Sequence, residues 1–119
     1  MEPIGYHKRM FTVREFGDFY KDAVALLGED GYEELVAYIA LNPEAGDVIR
    51  GSGGFRKLRF KRPGTGKSGG VRTIYFFYTP KHPISLLAIY GKNERANVTQ
   101  AEINELSRIA RILKGENHG

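Results

Sequence analysis

A chain of 119 residues, 41% hydrophobic and 27% charged, has the composition of one globular domain, and we expect residues 1–119 to form it. The absence of cysteine excludes a disulfide scaffold and a thiolate metal site. Because no signal peptide or stretch of about 20 apolar residues is present, we expect a soluble cytoplasmic protein.

Two helices are predicted in the N-terminal third of the chain. From Arg14 to Leu27, apolar residues recur every three or four positions, as on one face of a helix, and Gly28 ends the pattern. A capping-box pattern at Asp30 begins a second apolar stripe, which stops at Asn42-Pro43. The short connection between these segments predicts an antiparallel helical hairpin.

The middle of the chain has the two-residue periodicity of strands. Three strands are predicted, Phe55–Lys61, Val71–Thr79 and Ile84–Tyr90, and their short connections favour an antiparallel sheet. A further short strand is predicted near Phe11 to Val13. Alternation divides the first long strand into two faces, one with Phe55, Lys57, Arg59 and Lys61, and the other with Arg56, Leu58 and Phe60.

The C-terminal segment is predicted to be helical. Thr99 and Glu102 form a capping-box pattern, and the apolar residues that follow fall on one helix face. Helices, then a sheet, then a helix predict an α+β fold.

Positive charge is concentrated in the predicted sheet. No Asp or Glu occurs between Val48 and Asn93, so this stretch carries +10, while eight cations and fourteen acids leave −6 on the flanks. Such segregation favours a surface for a polyanion, most simply nucleic acid, over a solvated basic face. The ten cations are Arg50, Arg56, Lys57, Arg59, Lys61, Arg62, Lys67, Arg72, Lys81 and Lys92.

The stretch RPGTGKSGG, residues 62–70, is similar to a phosphate-binding P-loop but departs from it. Position 61, where the first glycine of that motif belongs, is Lys61, and a strand-like segment follows where a helix is required. A nucleotide-hydrolysing site is therefore not favoured. We interpret the stretch as a flexible, basic connection between strands, whose glycines let it follow a partner's contour.

The side chains of the basic window suit RNA cleavage without a metal or cofactor. A metal-dependent nuclease needs several Asp, Glu or His ligands, and the window offers only His82. RNA carries its own nucleophile, the 2′-OH, so cations that stabilise the phosphorane and a group that moves a proton are sufficient. Cleavage and simple binding of RNA both remain open at this point. The candidates by residue type are Lys57, Arg59, Arg72, Tyr75, Tyr90 and Lys92.

Three segments, LNPEAGDVIRGSGGFRKLRF, GKSGGVRTIYFFY and LLAIYGKNERANVTQAE, resemble the RelE/HigB family of type II toxins. The resemblance implies a RelE-like α+β fold, with two N-terminal helices packed on a small, mostly antiparallel sheet. It implies an endoribonuclease (an mRNA interferase) that cleaves mRNA in the ribosomal A site without a protein-bound metal, and so inhibits translation. It also implies a cognate HigA-like helix-turn-helix antitoxin, through which alone the toxin would reach operator DNA, and no membrane partner.

The resemblance also assigns roles to individual residues. Lys57 and Arg59 match a basic pair that serves phosphate binding and proton transfer, Arg72 matches the arginine that stabilises the transition state, and Lys92 matches a G-K motif. Many relatives have an arginine directly after that motif, where this chain has Asn93. We expect a further set of cations to bind RNA without taking part in the chemistry: Arg56, Lys61, Arg62, Lys67 and Arg95.

The general base remains open among three residues. Several family members use a tyrosine near the C-terminus, but this chain has none after Tyr90. Lys57, Tyr75 and Tyr90 are the alternatives.

Overall fold

The described part of the chain folds into a five-stranded mixed sheet with one N-terminal and one C-terminal helical element, which confirms the predicted α+β class. The computed structural model describes residues 10–61, 70–94 and 97–115. In chain order the elements are β1 (Val13–Glu15), α1 (Phe19–Leu41), β2 (Asp47–Val48), β3 (Phe55–Phe60), β4 (Val71–Phe76), β5 (Ile84–Gly91) and α2 (Gln100–Leu113).

The sheet has the strand order β1-β5-β4-β3-β2. Strands β2 to β5 pair antiparallel, whereas β1 pairs parallel with β5, so the sheet is mostly antiparallel as predicted. The three long strands lie where their alternation placed them, although β4 ends at Phe76 rather than Thr79. The short N-terminal strand occupies Val13–Glu15, and the two-residue strand β2 was not predicted.

The N-terminal helical region differs from the prediction. Residues 14 and 15 belong to β1, so α1 begins at Phe19, and the two expected helices form one helical element that Gly28 interrupts. Gly28 has φ +77° and ψ 170°, which is far from helical. The rings of Tyr20 and Tyr32 are nevertheless only 4.9 Å apart. Twelve residues of straight helix would separate them by about 18 Å, so the chain changes direction sharply at this glycine.

Each helical element covers a different face of the sheet. We call these the α1 face and the α2 face. The core on the α1 face joins Phe19, Ala23, Leu35 and Ile39 of α1 to strand residues that include Leu58, Val71, Tyr75, Leu86 and Ile89. The core on the α2 face joins Leu106 and Ala110 of α2 to Ile49, Phe55, Ile74, Phe76 and Tyr90.

Two local features fix α2 against its face. The predicted capping box is present, since the Thr99 side chain accepts from the Glu102 N–H and the Glu102 carboxylate accepts from the Thr99 N–H. At the other end, the loop before β3 approaches the helix closely. Gly53 has φ +84°, and a Cβ on it would lie 2.9 Å from the Cβ of Ala110, so only glycine fits there without displacing α2.

The structure around the glycine-rich stretch agrees with its interpretation as a strand connection. Strands β3 and β4 are antiparallel neighbours, and β4 begins at Val71, where a P-loop would begin a helix. Residues 62–69 themselves lie outside the described ranges. In those ranges, no helix has both the length and the apolar character needed to cross a membrane.

Candidate nucleic-acid interface

Arg59, Arg72 and Tyr90 lie side by side on three neighbouring strands. In the sheet register, Arg59 on β3 is directly opposite Arg72 on β4, and Arg72 is directly opposite Tyr90 on β5. Residues opposed in this way share a face of the sheet, with Cβ atoms about 4.5–5.5 Å apart. Tyr90 contributes to the core beneath α2, so these three residues, which we call the cross-strand row, are on the α2 face.

The cross-strand row places two guanidinium groups beside one another. Arg59 is exposed and Arg72 is half-buried. Like charges directly opposite each other in a sheet are unfavourable, and an anion bound between them removes the repulsion. Arginine also suits phosphate in particular, because its planar fork can donate two parallel hydrogen bonds to the oxygens. This part of the row therefore has the geometry of a phosphate-binding site.

Lys57 and Lys92 extend the positive charge from two ends of the row. Lys57 is half-buried on the α2 face, two residues from Arg59 along β3, or about 7 Å. Lys92 is exposed in the turn that follows β5. Glu94 shapes that turn, because its Oε1 accepts from the Gly91 N–H at 2.6 Å and its own N–H donates to the Gly91 carbonyl at 3.1 Å.

Tyr90 faces the core more than it faces solvent. Its side chain is 7% exposed, and its hydroxyl oxygen is buried. This placement favours a supporting role beside Arg72 over direct contact with RNA.

Tyr75, another candidate for proton transfer, lies on the opposite face of the sheet. It is fully buried in the core beneath α1. Its hydroxyl accepts from the Gly46 N–H at 2.9 Å and donates to the Pro43 carbonyl at 2.8 Å. Burial also raises the pKa of the Tyr75 phenol above its ordinary value, so the group stays protonated. We therefore leave Tyr75 out of the candidate site and assign it a structural role, in which its hydroxyl holds the loop between α1 and β2.

Arg56 supports the same loop and does not share the face of the cross-strand row. It lies opposite Tyr75 in the sheet register. Its Nη1 donates to the Glu44 carbonyl at 3.1 Å and to the Gly46 carbonyl at 2.8 Å. These contacts do not fit the expected role of Arg56 in RNA binding, because the guanidinium already holds the protein's own backbone.

The other expected RNA contacts are only partly visible. Lys61 is exposed immediately after β3. Arg62, Lys67 and Arg95 lie outside the described residues, so their roles stay predictions.

His82 belongs to the turn between β4 and β5 rather than to the row. Its Nδ1 lies 2.7 Å from the Thr79 hydroxyl, and its ring centroid lies 4.9 Å from that of Tyr78. Across the residues that the structure describes, no group of three His, Asp or Glu side chains is arranged to hold a metal ion.

Asp47 is a potential site residue that sequence reasoning missed. It lies directly opposite Lys57 in the pairing of β2 with β3, so both residues are on the α2 face. The acid-free stretch begins one residue later, at Val48, and a two-residue strand has too little alternation to reveal its face. The pairing of Asp47 with Lys57 could have been found by extending a hairpin backward from Phe55 through the turn at residues 50–54.

A groove of about 220 Å³ adjoins Lys57 on this face. One side is formed by β2 and β3, and the other by the start of α2 and the residues before it. The lining residues are Asp47, Val48, Ile49, Lys57, Asn97, Val98 and Ile103.

Comparison with known protein families adds an independent assignment. Residues 39–118 match the family described as RelE toxin of the RelE/RelB toxin–antitoxin system. The matched region contains strands β2 to β5 and all of α2, and with them the complete cross-strand row and the groove. The match extends over more than half of the sequence, and the chain therefore belongs to the RelE toxin family.

Proposed function

We propose that this toxin is a ribosome-dependent endoribonuclease that cleaves mRNA in the A site and so stops translation. Membership of the RelE family supports the toxin role. The observation that carries the enzymatic proposal is the direct opposition of Arg59 and Arg72 across β3 and β4, beside Lys57. The transition state of phosphate cleavage needs hydrogen-bond donors for its oxygens and a nearby residue that can move a proton. The two guanidinium groups and Lys57 match these needs.

In the proposed reaction, the 2′-oxygen of one nucleotide attacks the adjacent phosphorus, and the bond from that phosphorus to the 5′-oxygen of the next nucleotide breaks. The 2′-OH gives up its proton to a base, and the leaving 5′-oxygen receives one. The products are a 2′,3′-cyclic phosphate and a new 5′-OH end. Arg59 and Arg72 stabilise the extra negative charge on the phosphorane oxygens.

Among the three candidates for the base, the geometry favours Lys57. Tyr75 is on the other face, and the hydroxyl of Tyr90 is buried, whereas Lys57 is half-buried beside Arg59. We assign Lys92, which is exposed in the turn after β5, to contact with the RNA backbone beside the scissile phosphate.

Primer extension on an mRNA held on ribosomes tests the proposal. We expect the wild-type protein to create new 5′ ends at the A-site codon, and none on the same mRNA without ribosomes. Arg72→Ala should lower the cleavage rate about 100-fold, as for loss of one transition-state donor. Lys21→Ala removes an exposed cation from α1, away from the row, and should leave the rate unchanged.

The second candidate function is a non-catalytic RNA- or ribosome-binding module in which the same cations only bind backbone. The segregated charge of the sheet supports this alternative as well. Inhibition of translation with intact mRNA would establish it and exclude cleavage. Undiminished cleavage by Arg72→Ala would instead show that the transition state is stabilised elsewhere.

The family assignment implies an antitoxin partner. We propose that it is a HigA-like helix-turn-helix protein, that the toxin reaches operator DNA only through it, and that the complex acts in the cytoplasm. A gene for a helix-turn-helix protein beside the toxin gene would support this, and a neighbour of another fold class would overturn it.

A further inference from the structure

The groove beside Lys57 combines features that suit a nucleobase. Half-buried Val98 and Ile103 give it an apolar side, and the β2–β3 edge gives it a charged side. Unpaired RNA bases are recognised in this way, with the flat ring against apolar or aromatic side chains and the hydrogen-bonding edge against a few polar groups. Of the residues that line this groove, the proposed function uses only Lys57.

Asp47 determines which base edge would fit. A carboxylate only accepts hydrogen bonds, and its two oxygens lie side by side. Lys57 lies directly opposite Asp47 in the sheet, and its amine can donate a hydrogen bond to this carboxylate whether or not it carries the extra proton taken up in catalysis. The best partner for this carboxylate is therefore a base with two adjacent donors.

We propose that this groove is a guanine-selective subsite, in which the Asp47 carboxylate accepts from N1–H and from the 2-amino group of an unpaired guanine. The proposal rests on the proposed function, since it names the base that accompanies the cleaved phosphate. Adenine and cytosine each present one amino group next to a ring nitrogen that repels a carboxylate. Uracil presents one N–H between two carbonyl oxygens.

The position of the groove links base recognition to the cross-strand row. Lys57 lines the groove and is also two residues from Arg59 on the same face, about 7 Å along β3. That separation suits the phosphate and the base of a single nucleotide. A nucleotide with its phosphate between Arg59 and Arg72 can thus direct its base past Lys57 toward Asp47.

The test compares guanosine, inosine and adenosine at each of the three A-site positions in otherwise identical ribosome-bound mRNAs. Inosine keeps N1–H and loses only the 2-amino group. For the wild-type protein, we expect guanosine at one position to be cleaved about tenfold faster than adenosine, the discrimination of one good bidentate contact, with inosine between them. In Asp47→Asn, the side-chain amide opposes the guanine donors, so the guanosine preference should disappear.

Asp22→Asn is the matched control, because it removes the same charge from the exposed first turn of α1. It should keep the wild-type preference. The guanine subsite is overturned if the wild type shows no base preference, if Asp47→Asn retains it, or if Asp47→Asn slows all three substrates equally. In each of those cases, cleavage by the wild type still supports the proposed function. The absence of any cleavage by the wild type would instead overturn the proposed function itself.

Discussion

Arg56 and Arg59 show how far one residue type can differ in role within a single strand. Both belong to β3, three positions apart, so they point to opposite faces. Arg59 is exposed in the cross-strand row, while Arg56 donates hydrogen bonds to two carbonyls of the loop between α1 and β2. Whether a basic residue in such a strand binds RNA or supports the fold can therefore be assigned only when it is known which face of the sheet its side chain occupies.

Tyr75→Phe tests the structural role of the buried tyrosine. The change removes the hydroxyl that bridges Gly46 and Pro43, and it leaves the buried Gly46 N–H without its partner. We expect the free energy of unfolding to fall by about 1–3 kcal/mol. Urea denaturation measures this loss, and cleavage per folded molecule should stay at the wild-type level.

Tyr78→Phe is the control for that prediction, since it removes the same atom from a ring that is 42% exposed. It should change stability little. Loss of cleavage by Tyr75→Phe with unaltered stability would return Tyr75 to the chemistry.

At the scale of elements, local patterns predicted most of the fold. The strands β3, β4 and β5 follow from alternating and β-branched residues, and α2 follows from its capping box and apolar stripe. The region before Phe19 was predicted less well, because residues 13–15 form a strand through parallel pairing with β5, about 70 residues away. Local periodicity cannot predict a pairing between strands that are so far apart in the sequence.

The candidate site was predicted by residue type and not by arrangement. Charge segregation and family resemblance both indicated Lys57, Arg59 and Arg72, and the sheet register places all three on one face. Tyr75 fitted by type but lies on the other face. Asp47 was missed because its importance comes from its cross-strand partner rather than from its neighbours in sequence.

Thr99→Ala tests whether the capping box maintains α2 on the sheet. The variant loses the side-chain acceptor for the Glu102 N–H. We expect the free energy of unfolding to fall by about 1 kcal/mol, the usual cost of losing such a cap. Thr99→Ser keeps a hydroxyl and should remain close to the wild type in urea denaturation. Equal stability of the alanine and serine variants would show that the cap contributes nothing.

At the scale of the whole molecule, the fold directs its separated charges to particular surfaces. The acid-rich flanks include α1, whereas the acid-free stretch supplies β3, β4 and β5. Lys57, Arg59 and Arg72 lie on the α2 face, and none of the three belongs to the core beneath α2. RNA should therefore approach the protein from this face.

Salt dependence of RNA binding tests that orientation. For single-stranded RNA, each neutralised phosphate contact lowers the slope of log K against log salt by about 0.7. We expect the slope for Arg59→Gln, measured by fluorescence anisotropy titrations, to be less steep than that of the wild type by about 0.7, the equivalent of one lost phosphate contact. Arg56→Gln, on the same strand and the opposite face, should keep the wild-type slope. Equal slopes for the two variants would mean that the face of the sheet does not determine RNA contact.

The brevity of the two outermost strands has a consequence for the toxin once it is released from its antitoxin. The sheet ends in β1, with three residues, and in β2, with two. Long open edges invite further strands to add by backbone hydrogen bonding, and this is a common route to aggregation. Edges this short give another chain little to extend, which disfavours aggregation of the liberated toxin by strand addition.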